Sequence, residues 1–312
     1  MSKHLATLRE IDPVLTNLAV GYKQADFIGE RIAPVVFVEK EGIKVPVYGK
    51  GSWVEYETER AVGAASNVIT LDSGKTMPIV LEEHDLAAGV DYREQHESKF
   101  DEKAKATRRV TSGVQLKQEI EIARLIQAKS SYQSGQTEDL SSAPDTKWSS
   151  DKSDVQEALE KAKETVRAAC GIRPTVLVVG AAVLSKLRTN EGLRSHLASG
   201  ERKVLLSNEM LKNLLDVEDI IVGEAVYSPE KGKGTQDVWG NFASLIVRPT
   251  IVGDGNDEGQ TAFAYSFRRR GMPVVDRYAD VGGKVEFVRY TDIRKTAVVG
   301  GACGYLFQNP IA

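Results

Sequence analysis

Arg268, Arg269 and Arg270 stand side by side in FRRRGMP, the sharpest basic cluster of the chain. A guanidinium offers a fixed fork of donors that fits phosphate or carboxylate oxygens. The cluster can therefore meet nucleic-acid phosphates, or pair with acids of its own chain or of a neighbour. Other stretches imitate known chemistry and fall short of it. PTVLVVGAAVLSKL has the strand, glycine and helix of a nucleotide fold, but Gly180 stands alone where dinucleotide binding needs Gly-x-Gly-x-x-Gly. In EKGKGT, Lys233 is followed by Gly234 rather than Ser or Thr, and the leading glycine of a phosphate loop is absent. GDGNDEG spaces Asp254, Asn256 and Glu258 like a calcium loop, yet the closing bidentate Glu falls on Tyr265. His96-Glu97 opens like a zinc-protease helix, and Phe100 occupies the place of the second His. The histidines His4, His84, His96 and His196 form no ligand cluster, and there is no Gly-x-Ser-x-Gly elbow. The sequence thus predicts no catalytic residue, no metal, no cofactor and no enzyme.

Composition narrows the partners. The net charge of −3 argues against a surface that grips duplex phosphates throughout, so any nucleic-acid contact should be local or loose. Near-neutrality suits a protein packed beside copies of itself, because strong like charge would make each contact repulsive. No apolar run reaches the ~18 residues of a membrane span. MSKHLATLREIDP lacks an apolar signal region, so secretion is not expected. Cys170 and Cys303 lie far apart in sequence and read as two inert thiols of a reducing cytoplasm rather than a structural disulfide.

The elements that could carry these residues follow a clear order. Residues 1 to about 38 read as an extended arm, since Pro13, Gly21, Gly29 and Pro34 prevent a long helix. KVPVYGKGSWVEYETERAVGAASNVI, residues 44–69, is rich in strand formers, cut by glycines and lined with charge. VITL and TMPIVL flank the turn DSGK and predict a hairpin, with Pro78 keeping the second strand at an edge. A long Pro-free helix spans about 98–129, capped by Ser98 or Asp101, with Val110, Val114, Leu116, Ile120, Ala123 and Ile126 as its apolar stripe. An amphipathic helix from about Val155 to Ala169, the strand TVLVV and two further helices make 151–237 a small α/β unit. Strands return from Val238 onward and are expected to rejoin the long helix, and KVEFVRYTD alternates cleanly between two faces.

Several stretches, in order, resemble a known family. IDPVLTNLAVGYKQADFIGERIAPVVFVEKEGIKVPVYGKG, TERAVGAAS, SSAPDTKWSSDKSD, VGEAVYSPEKGKGTQDVWGNFASLIVRP and TDIRKTAVVGGACGYLFQNPI are similar to segments of tailed-bacteriophage major capsid (coat) proteins. The resemblance implies an α+β capsid fold. Its parts would be an N-terminal arm (1–38), an extended β-hairpin loop (39–80), and a peripheral domain with a spine helix (81–150). An inserted α/β axial domain (151–237) and a peripheral sheet with the C-terminus (238–312) would complete it.

The same resemblance implies a structural virion protein, assembled in the host cytoplasm. It would form pentamers and hexamers of an icosahedral head around double-stranded DNA, bound without sequence specificity. Scaffolding, portal and decoration proteins would be further partners, and no membrane is involved. Phe27, Trp53, Tyr56 and Arg60 are the expected assembly contacts, since large aromatics dominate interfaces. A cargo-holding bacterial nanocompartment shell of the same fold is the alternative, and a nucleotide-binding enzyme built on the α/β segment is a third reading.

Overall fold

In the computed structural model the Pro-free run folds as one helix, Glu102–Gln127. The structure describes residues 25–47, 53–69, 75–142, 144–150, 152–196, 205–230, 233–248 and 262–312. Asp101 caps the helix by accepting from the backbone N–H groups of Lys103 and Ala104, donors that a helix start otherwise leaves orphaned. Its 26 residues run ~39 Å at 1.5 Å each. The buried face changes partner along the way. Ala106, Val110 and Val114 pack on Val90, Val288 and Tyr290 of one sheet, whereas Ile122, Ala123 and Ile126 enter the main core around a second sheet. The helix is a strut with a different sheet at each end.

The first sheet is organised by the 14-residue strand Val285–Val298. One edge pairs antiparallel with Glu82–Asp91. The other edge carries Val274–Ala279 and Ala264–Arg269 end to end, and Val35–Val38 adds in parallel beyond the latter. The alternation expected here is present. Val288 and Tyr290 face the long helix, while Phe287 stacks on Tyr278 and Arg289 pairs with Asp276 on the other face.

The predicted hairpin changes partner. Lys75–Val80 does not pair with VITL; it pairs antiparallel with Gly42–Val47. The reason is burial. Gly42–Val47 turns Ile43 and Val45 toward the cluster that already holds Met77, Ile79, Leu81, Phe267 and Ile293. Val68 and Ile69 lie in no strand and remain exposed, and residues 70–74 lie outside the described residues. Lys44 opposes Pro78 in this two-stranded pair, so the missing N–H of Pro78 interrupts no central ladder.

The second sheet has the order Thr137–Asp139, Gly304–Gln308, Phe242–Ile246, Val176–Gly180, Asp219–Gly223. The strands after Val238 do rejoin the long helix, but they divide between the two sheets that it meets. Phe242–Ile246 pairs with Val176–Gly180, and Gly304–Gln308 pairs with Phe242–Ile246. Val176–Gly180 is buried at every position, so it needs a partner on both edges. Asp219–Gly223 supplies one edge in parallel, and the returning chain supplies the other. A division at residue 237 therefore does not follow the hydrogen bonding. The helices Val155–Cys170, Ala181–Thr189 and Asn208–Leu214 cover this sheet with Leu159, Val166, Leu187 and Leu211. Each such buried side chain contributes about 2 kcal/mol.

Gly180 has a structural reason. A Cβ there would lie 2.2 Å from the carbonyl oxygen of Gly240 and 2.7 Å from that of Trp239. The glycine that resembles part of a nucleotide loop is a place where two backbones close up. Gly180→Ala should lower the unfolding free energy by about 2 kcal/mol or more, the usual range for overpacking. Chemical denaturation of the variant checks this, and an unchanged midpoint would contradict the packing assignment.

Candidate assembly surface

Two polar junctions position the outer surfaces. The first is Glu119, buried inside the apolar stripe of the long helix. Its Oε1 accepts from the Ile28 backbone N–H at 3.0 Å and from the Trp239 indole N–H at 2.7 Å, and its Oε2 accepts from the Gly29 N–H at 2.8 Å. One carboxylate thus ties the end of the arm, the helix and the second sheet together. Sequence reading passed over it; the available signal was an acid at a helical position flanked by buried apolar neighbours. Burial raises the Glu119 carboxyl above the ordinary carboxylate range, against the pull of its three donors.

The second junction absorbs the arginine cluster. Arg268 is nearly buried and pairs with Glu30 at 2.9 Å and Asp292 at 3.1 Å, while also donating to the Gln118 side chain. Buried Arg294 pairs with Glu121 at 2.9 Å and lies 3.5 Å from Asp292. Arg269 pairs with Glu41, and Arg270 with Glu39, each at 2.9 Å near the root of the hairpin. All three arginines meet carboxylates of their own chain, which leaves little free positive charge for phosphates.

The expected contact residues are spread unevenly. Phe27 packs partly buried against the main core, because Glu119 holds the next two residues to the helix. Part of its ring is therefore covered by its own chain. Trp53 and Tyr56 are about half exposed, at 52% and 44%, and the Trp53 ring lies over Gly171. Arg60 donates to the Ala64 carbonyl oxygen, and Asn67 donates to the carbonyls of Glu57 and Glu59, so residues 57–67 close on themselves. Val62 and Val68 are essentially bare, at 105% and 88%. Residues 54–69 form neither helix nor strand, and residues 53–69 enter none of the cores of the described residues.

The GDGNDEG segment and residues 231–232 lie outside the described residues. Among the described residues no group of three or more His, Cys, Asp and Glu is placed to hold a metal ion. None of their helices is long and apolar enough to cross a membrane.

Comparison with known proteins gives this geometry its context. The chain is 39% identical over 305 residues to the major capsid protein of Burkholderia phage BcepMu, covering 97% of this chain and 98% of that one. The chain belongs to the phage major capsid protein family. No protein-family model matches it. The crystal structure of a phage-related protein from Bordetella bronchiseptica is similar to this capsid-family chain with a TM-score of 0.72 at 27% identity, over 97% and 98% of the two chains. The capsid structure of cyanophage P-SCSP1u shares the fold at a TM-score of 0.59 and 10% identity, over 96% and 92%. The SrpI encapsulin complex of Synechococcus elongatus shares it at 0.51 and 13%, over 96% and 95%. The fold is the α+β fold of phage capsid shells, and the chain is a virion structural protein; most of the expected N-terminal arm, residues 1–24, lies outside the described residues.

Both junctions are testable in this capsid-family chain. Arg268→Ala should cost about 3 kcal/mol, because it removes the closer of the two arginines that face buried Asp292. Arg269→Ala and Arg270→Ala should each cost under about 1 kcal/mol, as exposed pairs do. Equal losses in urea titrations of the three would refute the graded arrangement. At Glu119, Glu119→Gln should cost about 1–3 kcal/mol, since its amide would face the Gly29 donor. The pH dependence has a definite sign. A folded pKa above the unfolded one favours folding at low pH, and that contribution is lost as pH rises through the folded value. The stability difference between wild type and Glu119→Gln should therefore move in favour of wild type on lowering the pH from about 7 to about 5. A pH-independent difference would refute the raised carboxyl.

Proposed function

We propose that this capsid protein assembles, through lateral contacts, into pentamers and hexamers that close as an icosahedral head around double-stranded DNA. The observation that carries the reading is the exposed stretch 53–69, apolar at Trp53, Val54, Tyr56, Val62, Val68 and Ile69 and outside every core of its own chain. Exposed apolar chain of this extent marks a partner surface. The partner is another copy of the chain. The hairpin Gly42–Val47/Lys75–Val80 carries the stretch outward from a root fixed by Ile79 and Leu81. Two-stranded pairing leaves free backbone donors and acceptors, so a neighbour can add main-chain hydrogen bonds as well as apolar cover.

The energetics follow from many modest contacts. Burial yields about 25 cal/mol per Å², and a subunit ringed by neighbours makes several contacts at once. Closure of the shell then multiplies weak affinities. Trp53 and Tyr56 are the anchors, and Arg60 braces the turn that presents them. DNA inside the head is held loosely. The chain's net charge is −3, and the FRRR arginines are occupied by Glu30, Glu39, Glu41 and Asp292. Scaffolding, portal and decoration proteins are the expected further partners.

A nanocompartment shell is the second reading, favoured by the encapsulin similarity in fold. The 39% identity to a phage capsid protein favours a head instead. Particles holding protein cargo and no DNA would decide for the compartment.

Trp53→Ala tests the assembly reading. Because Trp53 is half exposed, the variant subunit should unfold at an unchanged temperature. Electron microscopy should then show capsomers or free subunits in place of closed shells. Normal shells from the variant would contradict the role given to Trp53. A small monodisperse particle from the wild type would contradict the assembly reading itself.

A further inference from the structure

Positive charge able to meet phosphates lies on the long helix rather than in FRRR. Over its first half the helix Glu102–Gln127 buries Ala106, Val110 and Val114 against the first sheet. It turns Lys105, Arg108, Arg109, Ser112 and Gln115 to solvent. These positions recur at steps of three and four, so they share one side of the helix. The acids of the helix are engaged elsewhere. Glu102 accepts from Ser98 and pairs with Lys105 at 3.1 Å, Glu119 holds the arm, and Glu121 pairs with Arg294 and Lys117. Among the described residues, the side chains of Arg108 and Arg109 make no hydrogen bond and no ion pair.

The first sheet has two unlike sides. The helix covers the side of Val90, Val288 and Tyr290. The root of the hairpin covers the other side, at Phe267, Ile293 and Ala297. The exposed acids Glu83 and Asp85 stand opposite Ile293 and Thr291 in the ladder, so they belong to the hairpin's side. The uncompensated arginines thus point away from these acids and from the extension that reaches toward neighbours.

We propose that Lys105, Arg108 and Arg109 bind the phosphates of duplex DNA. On the head reading given above, the helix side of the first sheet would then face the interior; the phosphate contact itself does not rest on that reading. A guanidinium fork fits phosphate oxygens in two-point fashion. From Lys105 to Arg109 the helix advances ~6 Å, and phosphates of one strand follow every ~3.4 Å of duplex axis. The three cations therefore span about two neighbouring phosphates. Ser112 and Gln115 add neutral donors beside them. Contacts to the backbone carry no sequence information. A single subunit holds the duplex weakly, and many subunits around one DNA multiply the effect. An acidic protein segment is the competing occupant, and the test separates the two.

The unassembled full-length chain is titrated with a short random-sequence duplex, followed by fluorescence anisotropy over a range of salt. Wild-type affinity should fall with salt at a log–log slope of about −2.7 for three contacts. Arg108→Gln/Arg109→Gln should lower the steepness of that slope by about 2, with the unfolding temperature unchanged. Arg269→Gln/Arg270→Gln is the control and should leave the slope as it is, because those arginines already pair with Glu41 and Glu39. An unchanged slope in the Arg108/Arg109 variant, an equal fall in the control, or no binding by the wild type at low salt would overturn the proposal. Poly-glutamate is the second probe, at equal charge concentration. Weaker binding than the duplex is expected; binding as tight, lost in the same variant, would assign the surface to an acidic protein segment and overturn the proposal. The titration uses no shell, so it succeeds or fails apart from the assembly reading, which microscopy tests.

Discussion

The Glu119 carboxylate is the point on which the arrangement depends. Its three donors come from the arm, at Ile28 and Gly29, and from Trp239, just before the central strand Phe242–Ile246. The approach is close. A Cβ on Gly29 would sit 2.6 Å from Ile122 Cδ1 and 2.7 Å from Glu119 Oε2. Trp239 in turn presses on Gly223, where a Cβ would lie 2.1 Å from the indole. A single buried acid therefore fixes how arm, long helix and second sheet meet, and unpaired donors at such depth would cost about 1–3 kcal/mol each.

The charged junction of Arg268, Asp292, Arg294 and Glu121 does the corresponding work at the first sheet. Burying ions recovers little net energy, since desolvation offsets the attraction. Its effect is on register. Asp292 and Arg294 stand on the long strand at positions that meet Arg268 and the helix's Glu121, and a slip of one residue would turn them to the opposite face. The arm strand Val35–Val38 pairs with Ala264–Arg269 under the same constraint, through Glu30 and Arg268. The hairpin thus leaves a platform whose register is set on both sides.

Much of this was legible in the sequence. The long helix, its Asp101 cap, the helix ending before Gly171 and the alternation of KVEFVRYTD follow from local rules of capping and periodicity. What local rules could not give was pairing between distant segments. VITL and TMPIVL satisfied a hairpin pattern, yet only Gly42–Val47 offered Ile43 and Val45 to the cluster waiting at Phe267 and Ile293. Phe242–Ile246 and Gly304–Gln308 joined the α/β sheet because fully buried Val176–Gly180 needed a second edge, a demand invisible from their own residues. The surface residues divided likewise. Trp53 and Tyr56 are half exposed, whereas the partial burial of Phe27 and the pairing of the arginines depend on acids far away in sequence, Glu119, Glu30 and Asp292.

The stretch 53–69 has order from its own turn, held by Arg60 and Asn67, and it lacks a core. On the assembly reading proposed above, this braced but uncovered extension is completed by the subunit's neighbours. Hydrogen exchange of residues 53–69 tests that claim most directly, compared between free subunits and closed shells. The account predicts fast exchange in the free subunit and strong protection in the shell. Equal exchange in the two states would contradict it.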